Sequence, residues 1–492
     1  MTDAIAGRGV LEPDAATWEA WLAECGRLCA RALQGMDAAP AVGRVGAEGL
    51  AEAEAVSRAI VETPCPGGLP EALAVVERAA EASLFTPGPG YLAYIPGGGL
   101  PMAALADLVA NVLNRYTGLT AAAPALCRLE ADVLAWLATQ FGYDADARGL
   151  LTSGGSLANL SAIVTARHAA FGDGADLSSA VAYVSDQSHH SVGKALRLAA
   201  IGPDQTRKVA VDDRWRMSAA DLRAQVERDL ADGRRPFVVV TAGGSTNTGA
   251  IDPLDDIADL CAEHGIWHHC DAAYGGAFVL CEDGRSRLRG IARADSITFD
   301  PHKGLFLPYG TGCLLVRDGE ALRRAHGAEA DYLQDFDRRE RTGEAPSPTE
   351  YGPELSRDFR GLRLWLPLVV HGAGAFREAL TEKLALARRF AHGLRTAIDG
   401  GAPIELVDEP QLSVVPFRLR RRPGEPLADA NERNARWLAA IHDRGRVYLS
   451  STLLPGDDGP AFTLRVCVLS FRTHAERLDA ALQDVAQTAG VV

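Results

Sequence analysis

The sequence predicts an α/β protein with a mainly parallel central sheet, a helical N-terminal segment and a small α+β domain towards its C-terminus. In the middle of the chain, short apolar runs rich in β-branched residues alternate with helical patterns, which is typical of parallel strands covered by helices on both faces. Before these runs, apolar residues recur at the spacing of helices. The runs that predict strands of the central sheet are residues 181–186, 208–212, 236–243, 266–273, 296–300 and 312–318.

Changes in this pattern divide the chain into three predicted parts. Residues 1–105 form a helical segment, which ends in a stretch too rich in glycine and proline for one helix or a central strand. Residues 106–365 form the large α/β domain, and residues 366–492 form the small domain. The helices and strands predicted for the small domain are residues 374–398, 412–419, 428–443, 447–451, 462–469 and a final helix.

Composition and charge exclude several classes of protein. The 492 residues carry a net charge of −14, which argues against nucleic-acid or anionic-membrane partners because these attract basic surfaces. The first residues lack the pattern of a signal peptide, and no apolar run of about 18 residues predicts a membrane span. Nine cysteines without a CxxC pair indicate reduced thiols. We therefore expect a cytoplasmic protein.

Only four of the 50 basic residues are lysines, namely Lys194, Lys208, Lys303 and Lys383. Lys303 follows the C-terminal end of a predicted strand, and ligands of parallel sheets bind beyond such ends. A lysine in a partly apolar pocket at that place can lose its proton and act as an amine nucleophile. We interpret the other three lysines as solvated surface groups.

Three further segments follow or end predicted strands. Residues 152–156 (TSGGS) open a predicted helix and would offer backbone N–H groups to a phosphate, although a simple helix cap explains this segment better when it is taken alone. Residues 185–191 (SDQSHHS) would place a histidine over a planar cofactor or form a solvated turn. Asp271 ends a strand among small residues, and a carboxylate buried there needs a cationic partner, as in an ordinary salt bridge.

The strand that ends in Asp271 has an alternative interpretation as a metal site, formed by His264, His268, His269 and Asp271. Adjacent residues of a strand point to opposite faces, so His268 and His269 cannot both face one ion. We therefore expect no metal. Taken together, a phosphate cradle, a flat stacking ring, a carboxylate and an amine are what pyridoxal 5′-phosphate needs.

The segments TSGGSLANL, SDQSHHSV, STNTGAIDPL, HCDAAYGG and DPHKG follow one another in this order. In them the chain resembles the group II pyridoxal-phosphate-dependent amino-acid decarboxylases, the family of the aromatic-L-amino-acid, histidine and glutamate decarboxylases. The resemblance covers about residues 85–472. It implies the fold type I of pyridoxal-phosphate enzymes, found in the aspartate aminotransferase superfamily, and a homodimer with shared active sites.

The resemblance also implies roles for individual residues. Lys303 would form the Schiff base with the cofactor, His189 would stack on its ring, and Tyr332 would return a proton to the substrate from a polar loop over residues 332–354. Asp271 would face the pyridine nitrogen. The cofactor-binding residues would be Gly155, Ser156, His189, Thr246, Asp271, His302 and Lys303. The substrate-binding residues would be Tyr94, Ile95 and Arg465, with the arginine on the substrate carboxylate.

The expected reaction is decarboxylation of an L-amino acid to the corresponding amine and CO₂. The segment around Tyr94 and Ile95 gives mixed to apolar walls, which favour an aromatic or branched aliphatic substrate, whereas Arg115 would suit an acidic one. Gly304 replaces a tryptophan that is frequent in aromatic decarboxylases, which would reshape the site. The alternatives are an aminotransferase, an oxidative aldehyde synthase, against which Tyr332 argues, and a non-catalytic protein that binds pyridoxal phosphate.

Overall fold

The computed structural model describes residues 11–43, 45–56, 65–327 and 347–490. The described helices that precede the first strand are α1 (Ala15–Gln34), α2 (Ala47–Val56), α3 (Gly68–Glu81), α4 (Pro101–Leu113) and α5 (Pro124–Gln140). A proline begins both α4 and α5, where its missing N–H costs no hydrogen bond. Helix α5 buries one side in the core, whereas the described helices α1 and α3 bury no residue fully.

The large sheet confirms the predicted α/β architecture. Its strands are β1 (Arg148–Thr152), β2 (Ala180–Ser185), β3 (Thr206–Val209), β4 (Arg235–Ala242), β5 (Trp267–Asp271), β6 (Ser296–Phe299) and β7 (Gly312–Val316). They are arranged in the order β1-β7-β6-β5-β4-β2-β3. All neighbours from β3 to β6 pair in parallel, and β7 runs antiparallel to β6 and β1. The sequence analysis did not identify β1 as a strand. It also did not predict the reversed direction of β7, because apolar composition does not encode strand direction.

Helices cover both faces of this sheet. Ala182 and Val184 of β2 pack in one cluster with Ile163, whereas Val181 and Tyr183 pack in another. Successive residues of a strand point to opposite faces, so the two clusters lie on opposite sides of the sheet. The helices of this region are α6 (Gly155–Phe171), α7 (His190–Leu198), α8 (Ala219–Ala231), α9 (Leu254–His264), α10 (Glu282–Arg287), α11 (Pro301–Gly304) and α12 (Gly319–His326).

A second sheet lies in the C-terminal part, where the sequence predicts a small α+β domain, and its strands are antiparallel. Its strands are β8 (Ile404–Leu406), β9 (Val414–Leu419), β10 (Ser450–Leu454) and β11 (Ala461–Cys467), in the order β10-β11-β9-β8. The short strand β8 was not predicted. The helices are α13 (Arg360–Asp399), α14 (Leu427–His442) and α15 (Ala475–Ala489). Helix α13 begins earlier than expected, spans the predicted boundary at 365/366, and is interrupted at Gly372, where φ is +74°. The three-part division stays a prediction.

Lys383 corrects one interpretation of the sequence, which placed this lysine on the surface. Its side chain is fully buried on α13, where Nζ donates to a carboxylate oxygen of Glu382 at 2.7 Å and to the carbonyl of Thr473 at 2.6 Å. Burial lowers the pKa of Lys383. The partner carbonyl lies 90 residues further along the chain, so local pattern gave no sign of it.

None of the helices in the described ranges has both the length and the apolar character needed to cross a bilayer.

Candidate active site

A cavity of about 210 Å³ lies beyond the carboxyl ends of β2, β4, β5 and β6, where parallel sheets bind their ligands. The first turn of α6 also faces it, because β1 runs in the same direction as β6 and delivers the chain to the same edge. Seven residues singled out in the sequence line this cavity together: Gly155, Ser156, His189, Thr246, Asp271, His302 and Lys303.

The start of α6 forms one end of the cavity. Gly154 has a φ of +156°, which favours glycine. A Cβ atom on Gly155 would lie 2.9 Å from Oδ2 of Asp300 and 3.3 Å from Cβ of Ala273, so a side chain there would crowd the Asp300 carboxylate. No side chain of the described residues caps this helix end. Its first N–H groups and the helix dipole are therefore available to an anion.

The floor of the cavity carries a carboxylate, and the loop after β2 carries an aromatic ring. Oδ2 of Asp271 accepts a hydrogen bond from Nδ2 of Asn159 at 2.9 Å, and Oδ1 accepts one from the N–H of Ala273 at 3.1 Å. Nδ1 of His189 lies 2.7 Å from Oγ of Ser191. Desolvation lowers the pKa of His189, so its ring is neutral at neutral pH and suited to stacking.

The amine of Lys303 is held in the cavity by Asp300. Nζ lies 3.0 Å from Oδ2 of Asp300, and the lysine side chain is 19% exposed. His302, next to the lysine, places Nδ1 2.6 Å from the carbonyl oxygen of Thr311. This nitrogen therefore donates. Burial lowers the pKa of His302, which keeps the imidazole neutral at neutral pH.

Gly304 is not among the described residues that line the cavity, whereas the sequence led us to expect that it reshapes the site. A Cβ atom on Gly304 would lie 2.1 Å from Cβ of Ala277, and Ala277 is buried in the core. Packing against Ala277 therefore explains the glycine, because a larger residue at position 304 would collide with the core.

Arg465 is buried beside the cavity and is not among its described lining residues. Its guanidinium donates to the carbonyl oxygens of Thr246 and Asn247 and to Oγ of Ser450, the last at 2.9 Å. It thereby fixes the loop that carries Thr246 into the cavity. Burial lowers the pKa of Arg465. A contact between Arg465 and the substrate carboxylate stays a prediction.

Tyr94 and Ile95 lie in a segment that packs against the chain following Lys303. A Cβ atom on Gly98 would lie 2.4 Å from Cα of Phe306, so this close approach requires glycine. Tyr94 is 54% exposed and Ile95 is buried, and neither lines the cavity in the described part of the chain. Their roles in substrate binding stay predictions. Tyr332 lies outside the described residues.

The two adjacent histidines of β5 point to opposite faces of the sheet. Nε2 of His268 lies 2.9 Å from Oγ1 of Thr241, whereas Nε2 of His269 lies 3.0 Å from Oδ1 of Asn159. Within the described ranges, no three His, Cys, Asp or Glu side chains come close enough to hold a metal ion.

Asn159 and Asp300 are among the lining residues that received no role from the sequence. Asn159 lies one helical turn after Gly155, on the same face of α6, and Asp300 precedes Lys303 by one turn. The spacing of four residues after the glycine is the one local sign that Asn159 faces the cavity. Nothing local indicated that its partners would be Asp271 and His269.

These side chains fit pyridoxal phosphate. The open helix end would hold the phosphate, Asp271 would face the ring nitrogen, His189 would cover one face of the ring, and the amine of Lys303 would reach the aldehyde. With a mainly parallel sheet and a small C-terminal domain, this arrangement defines a pyridoxal-phosphate-dependent enzyme of fold type I.

Comparisons with known proteins identify the family. Residues 86–420 match the model of the pyridoxal-dependent decarboxylase conserved domain. The chain is 36% identical over 390 residues to an aromatic-L-amino-acid decarboxylase of Bacillus atrophaeus, covering 79% of each chain. It is 32% identical over 391 residues to an L-2,4-diaminobutyrate decarboxylase of Rhizobium meliloti, covering 79% of this chain and 76% of the relative.

A solved structure agrees with this result. The tryptophan decarboxylase of Catharanthus roseus in complex with L-tryptophan superposes with a TM-score of 0.87 at 25% identity, covering 98% of this chain and 100% of the other. The chain therefore belongs to the pyridoxal-dependent decarboxylase family, and it is a carboxy-lyase that uses pyridoxal phosphate.

Proposed function

We propose that this enzyme converts an aromatic or branched aliphatic L-amino acid to its amine and CO₂. The observation that carries the proposal is that no arginine occurs among the described residues that line the cavity. No arginine of this lining is therefore available to bind a carboxylate on the substrate side chain. Tyr309 is 58% exposed, and its ring centroid lies 5.7 Å from that of His302. The name of the Bacillus atrophaeus relative supports the aromatic alternative.

The protein's own groups have separate tasks in this reaction. Pyridoxal phosphate, when bound, supplies an electron-withdrawing ring that stabilises charge left at the substrate α-carbon. Asp271 presents an acceptor to the ring nitrogen, and the neutral ring of His189 excludes water from one face. Lys303 provides the amine that holds the aldehyde group and exchanges with the substrate amine. Tyr332 is assigned the return of a proton to the α-carbon.

A panel of amino acids tests the proposal. The purified protein is loaded with pyridoxal phosphate and incubated with the common L-amino acids, and CO₂, amine, aldehyde and keto acid are measured for each. We expect amine and CO₂ in equal amounts from an aromatic or branched aliphatic amino acid. Preferential turnover of glutamate would contradict the substrate class. Aldehyde or keto acid as the main product would favour the oxidative aldehyde synthase or the aminotransferase instead.

The homodimer is supported by an uncovered apolar surface on α4. Leu105, Val112 and Leu113 on this helix are 54%, 56% and 49% exposed. Val369 on the neighbouring α13 is 59% exposed. Large apolar side chains exposed close together mark association sites. A second copy of the chain would cover this surface and bring the two cavities into one assembly.

Replacement of one of these residues tests the dimer. We expect Val112→Glu to shift the sedimentation of the protein from dimer towards monomer, because an unpaired charge would be buried in the interface. Leu198→Glu, at a position 63% exposed on α7, is the matched control and should leave the dimer intact. A wild-type protein that sediments as a monomer would contradict the proposal.

We also infer that the enzyme is cytoplasmic. All nine cysteines are free thiols, the state that a reducing compartment maintains. Fractionation of cells that express the tagged protein tests this location, and recovery of the protein outside the cytoplasm would contradict it.

A further inference from the structure

A line of polar side chains crosses one face of the large sheet and ends at the cavity. Trp267, His269 and Asp271 are alternate residues of β5, so they share that face. Ser296 of β6 pairs directly with His269. Asn159 of α6 covers the same face and is 1% exposed.

Hydrogen-bond distances join these five residues without a gap. Nε1 of Trp267 lies 2.8 Å from Oγ of Ser296, which lies 2.8 Å from Nδ1 of His269. Nε2 of His269 lies 3.0 Å from Oδ1 of Asn159. Oγ1 of Thr298, at 3.4 Å from the same Nε2, is the more distant partner. Nδ2 of Asn159 then lies 2.9 Å from Oδ2 of Asp271.

The two ends of this line determine which atom donates at every step. An indole N–H only donates, and a carboxylate only accepts. Asn159 must therefore turn its NH₂ group to Asp271 and its oxygen to His269, which carries a proton on Nε2. Burial lowers the pKa of His269 to about 4, so the neutral ring accepts the hydroxyl hydrogen of Ser296 on Nδ1. The serine oxygen then accepts from Trp267.

A branch from Asn159 reaches the stacking ring. Nδ2 of Asn159 also lies 3.1 Å from Oγ of Ser191, which lies 2.7 Å from Nδ1 of His189. Because the serine oxygen accepts from Asn159, its hydrogen is donated to His189. The proton of the neutral His189 ring is thus on Nε2, and both N–H bonds of the Asn159 amide are in use.

We propose that Asn159 is a positioning residue that fixes the Asp271 carboxylate and the His189 ring relative to each other and sets the direction of both hydrogen bonds. Asn159 acts on the cofactor through these two residues. The proposal uses the cofactor that the family binds and does not depend on which amino acid is the substrate.

The test compares the binding of pyridoxal phosphate to the full-length wild-type protein and to a variant that lacks the Asn159 side-chain amide. We expect Asn159→Leu to raise the dissociation constant of the cofactor about tenfold or more and to change the visible absorption of the bound cofactor, since Asp271 is no longer held. Asn434→Leu is the matched control. Asn434 is another buried helical asparagine, and its side chain bonds to Leu419 and Ala430, away from the cavity. The control should therefore change thermal stability but neither cofactor readout.

A second variant separates positioning from general loss of stability. Ser191→Ala breaks only the branch to His189, so we expect a smaller rise in the dissociation constant than in Asn159→Leu. In the double variant the two effects should combine to less than their product, because both act through His189. In the wild type, nitrogen NMR of labelled histidines should show both His189 and His269 protonated on Nε2.

Three results would overturn the positioning role. They are unchanged binding and absorption in Asn159→Leu, equal weakening of binding in Asn434→Leu, and protonation of His189 on Nδ1 alone. If Asn159→Leu does not fold, cofactor binding by Ser191→Ala and the histidine NMR spectra test the positioning role instead. A Ser191→Ala protein that binds pyridoxal phosphate as tightly as the wild type would count against the proposal. A wild-type protein that does not bind pyridoxal phosphate would instead contradict the cofactor assignment, which is a separate outcome.

Discussion

Lys303 and Asp300 form an ion pair inside the cavity, with Nζ 3.0 Å from Oδ2. The short helix α11 (Pro301–Gly304) places the two residues one turn apart, directly after β6. The Asp300 side chain is only 3% exposed. Removal of Lys303 would therefore leave a buried carboxylate without its counter-ion, and the pair directs the lysine amine into the cavity rather than to solvent.

The position of this amine predicts where the cofactor attaches. After borohydride reduction of the loaded protein, we expect mass spectrometry to find pyridoxal phosphate on the peptide that contains Lys303. Lys303→Ala should lose this attachment and the amine-forming activity, because a methyl group cannot bond to the aldehyde. Lys194→Ala, at an exposed position of α7, is the control and should retain both. Attachment at Lys194 or Lys383 would contradict the site.

The function proposed above assigns the return of a proton to Tyr332, and a substitution tests whether this residue directs the reaction to amine rather than aldehyde. Tyr332→Phe keeps the ring and removes the acidic hydroxyl, so we expect amine formation to fall about a hundredfold and aldehyde to become a detectable product. Tyr143→Phe is the matched control, because the Tyr143 hydroxyl donates to the carbonyl of Ala294 inside the core. This variant should still form amine alone. Unchanged amine formation in Tyr332→Phe would refute the assignment.

Residues at the ends of strands were the part of the site that the sequence predicted well. Asp271 and Lys303 each end or follow a short apolar run, and the carboxyl ends of parallel strands meet at one edge. Local pattern alone is therefore enough to bring both residues to the cavity. The same argument places His189, which follows β2.

Contacts between distant segments were the part that the sequence did not predict. The sequence did not indicate that the donors of Arg465 reach Thr246 and Asn247, more than 200 residues earlier in the chain, and its assignment to the substrate carboxylate stays a prediction. The burial of Lys383 was not predicted either, because its partner carbonyl on Thr473 is also remote in the chain. Such hydrogen bonds depend on how distant segments pack together, which periodicity and motif order do not encode.

The position of Arg465 predicts a defect in cofactor binding. Lysine has one nitrogen at its tip and cannot serve Thr246, Asn247 and Ser450 together. We therefore expect Arg465→Lys to lower the free energy of unfolding by about 2 kcal/mol and to weaken pyridoxal phosphate binding about tenfold. Chemical denaturation and cofactor titration measure the two effects. An increase in KM alone, with normal cofactor binding, would show that Arg465 acts on the substrate carboxylate.

Two buried histidines predict a loss of stability in acid. Burial lowers the pKa of His268 to about 3 and that of His269 to about 4 in the folded protein, from 6.5. Between pH 4 and 6 the unfolded chain therefore binds more protons than the folded one, and stability falls as the pH decreases. The contribution of these groups is complete above pH 6.5, and each adds a slope of about 1.4 kcal/mol per pH unit within the window.

One substitution isolates this effect. His268→Gln should reduce the slope of unfolding free energy against pH by about 1.4 kcal/mol per unit between about pH 4 and 6, whatever its effect on stability at neutral pH. His371→Gln, at an exposed position of α13, is the matched control and should leave the slope unchanged. Equal slopes in the wild type and in His268→Gln would show that His268 is protonated in the folded protein. The 1% exposure of His268 and the contact of its Nε2 with Oγ1 of Thr241 argue against that outcome, because a charged ring there would lose its hydration.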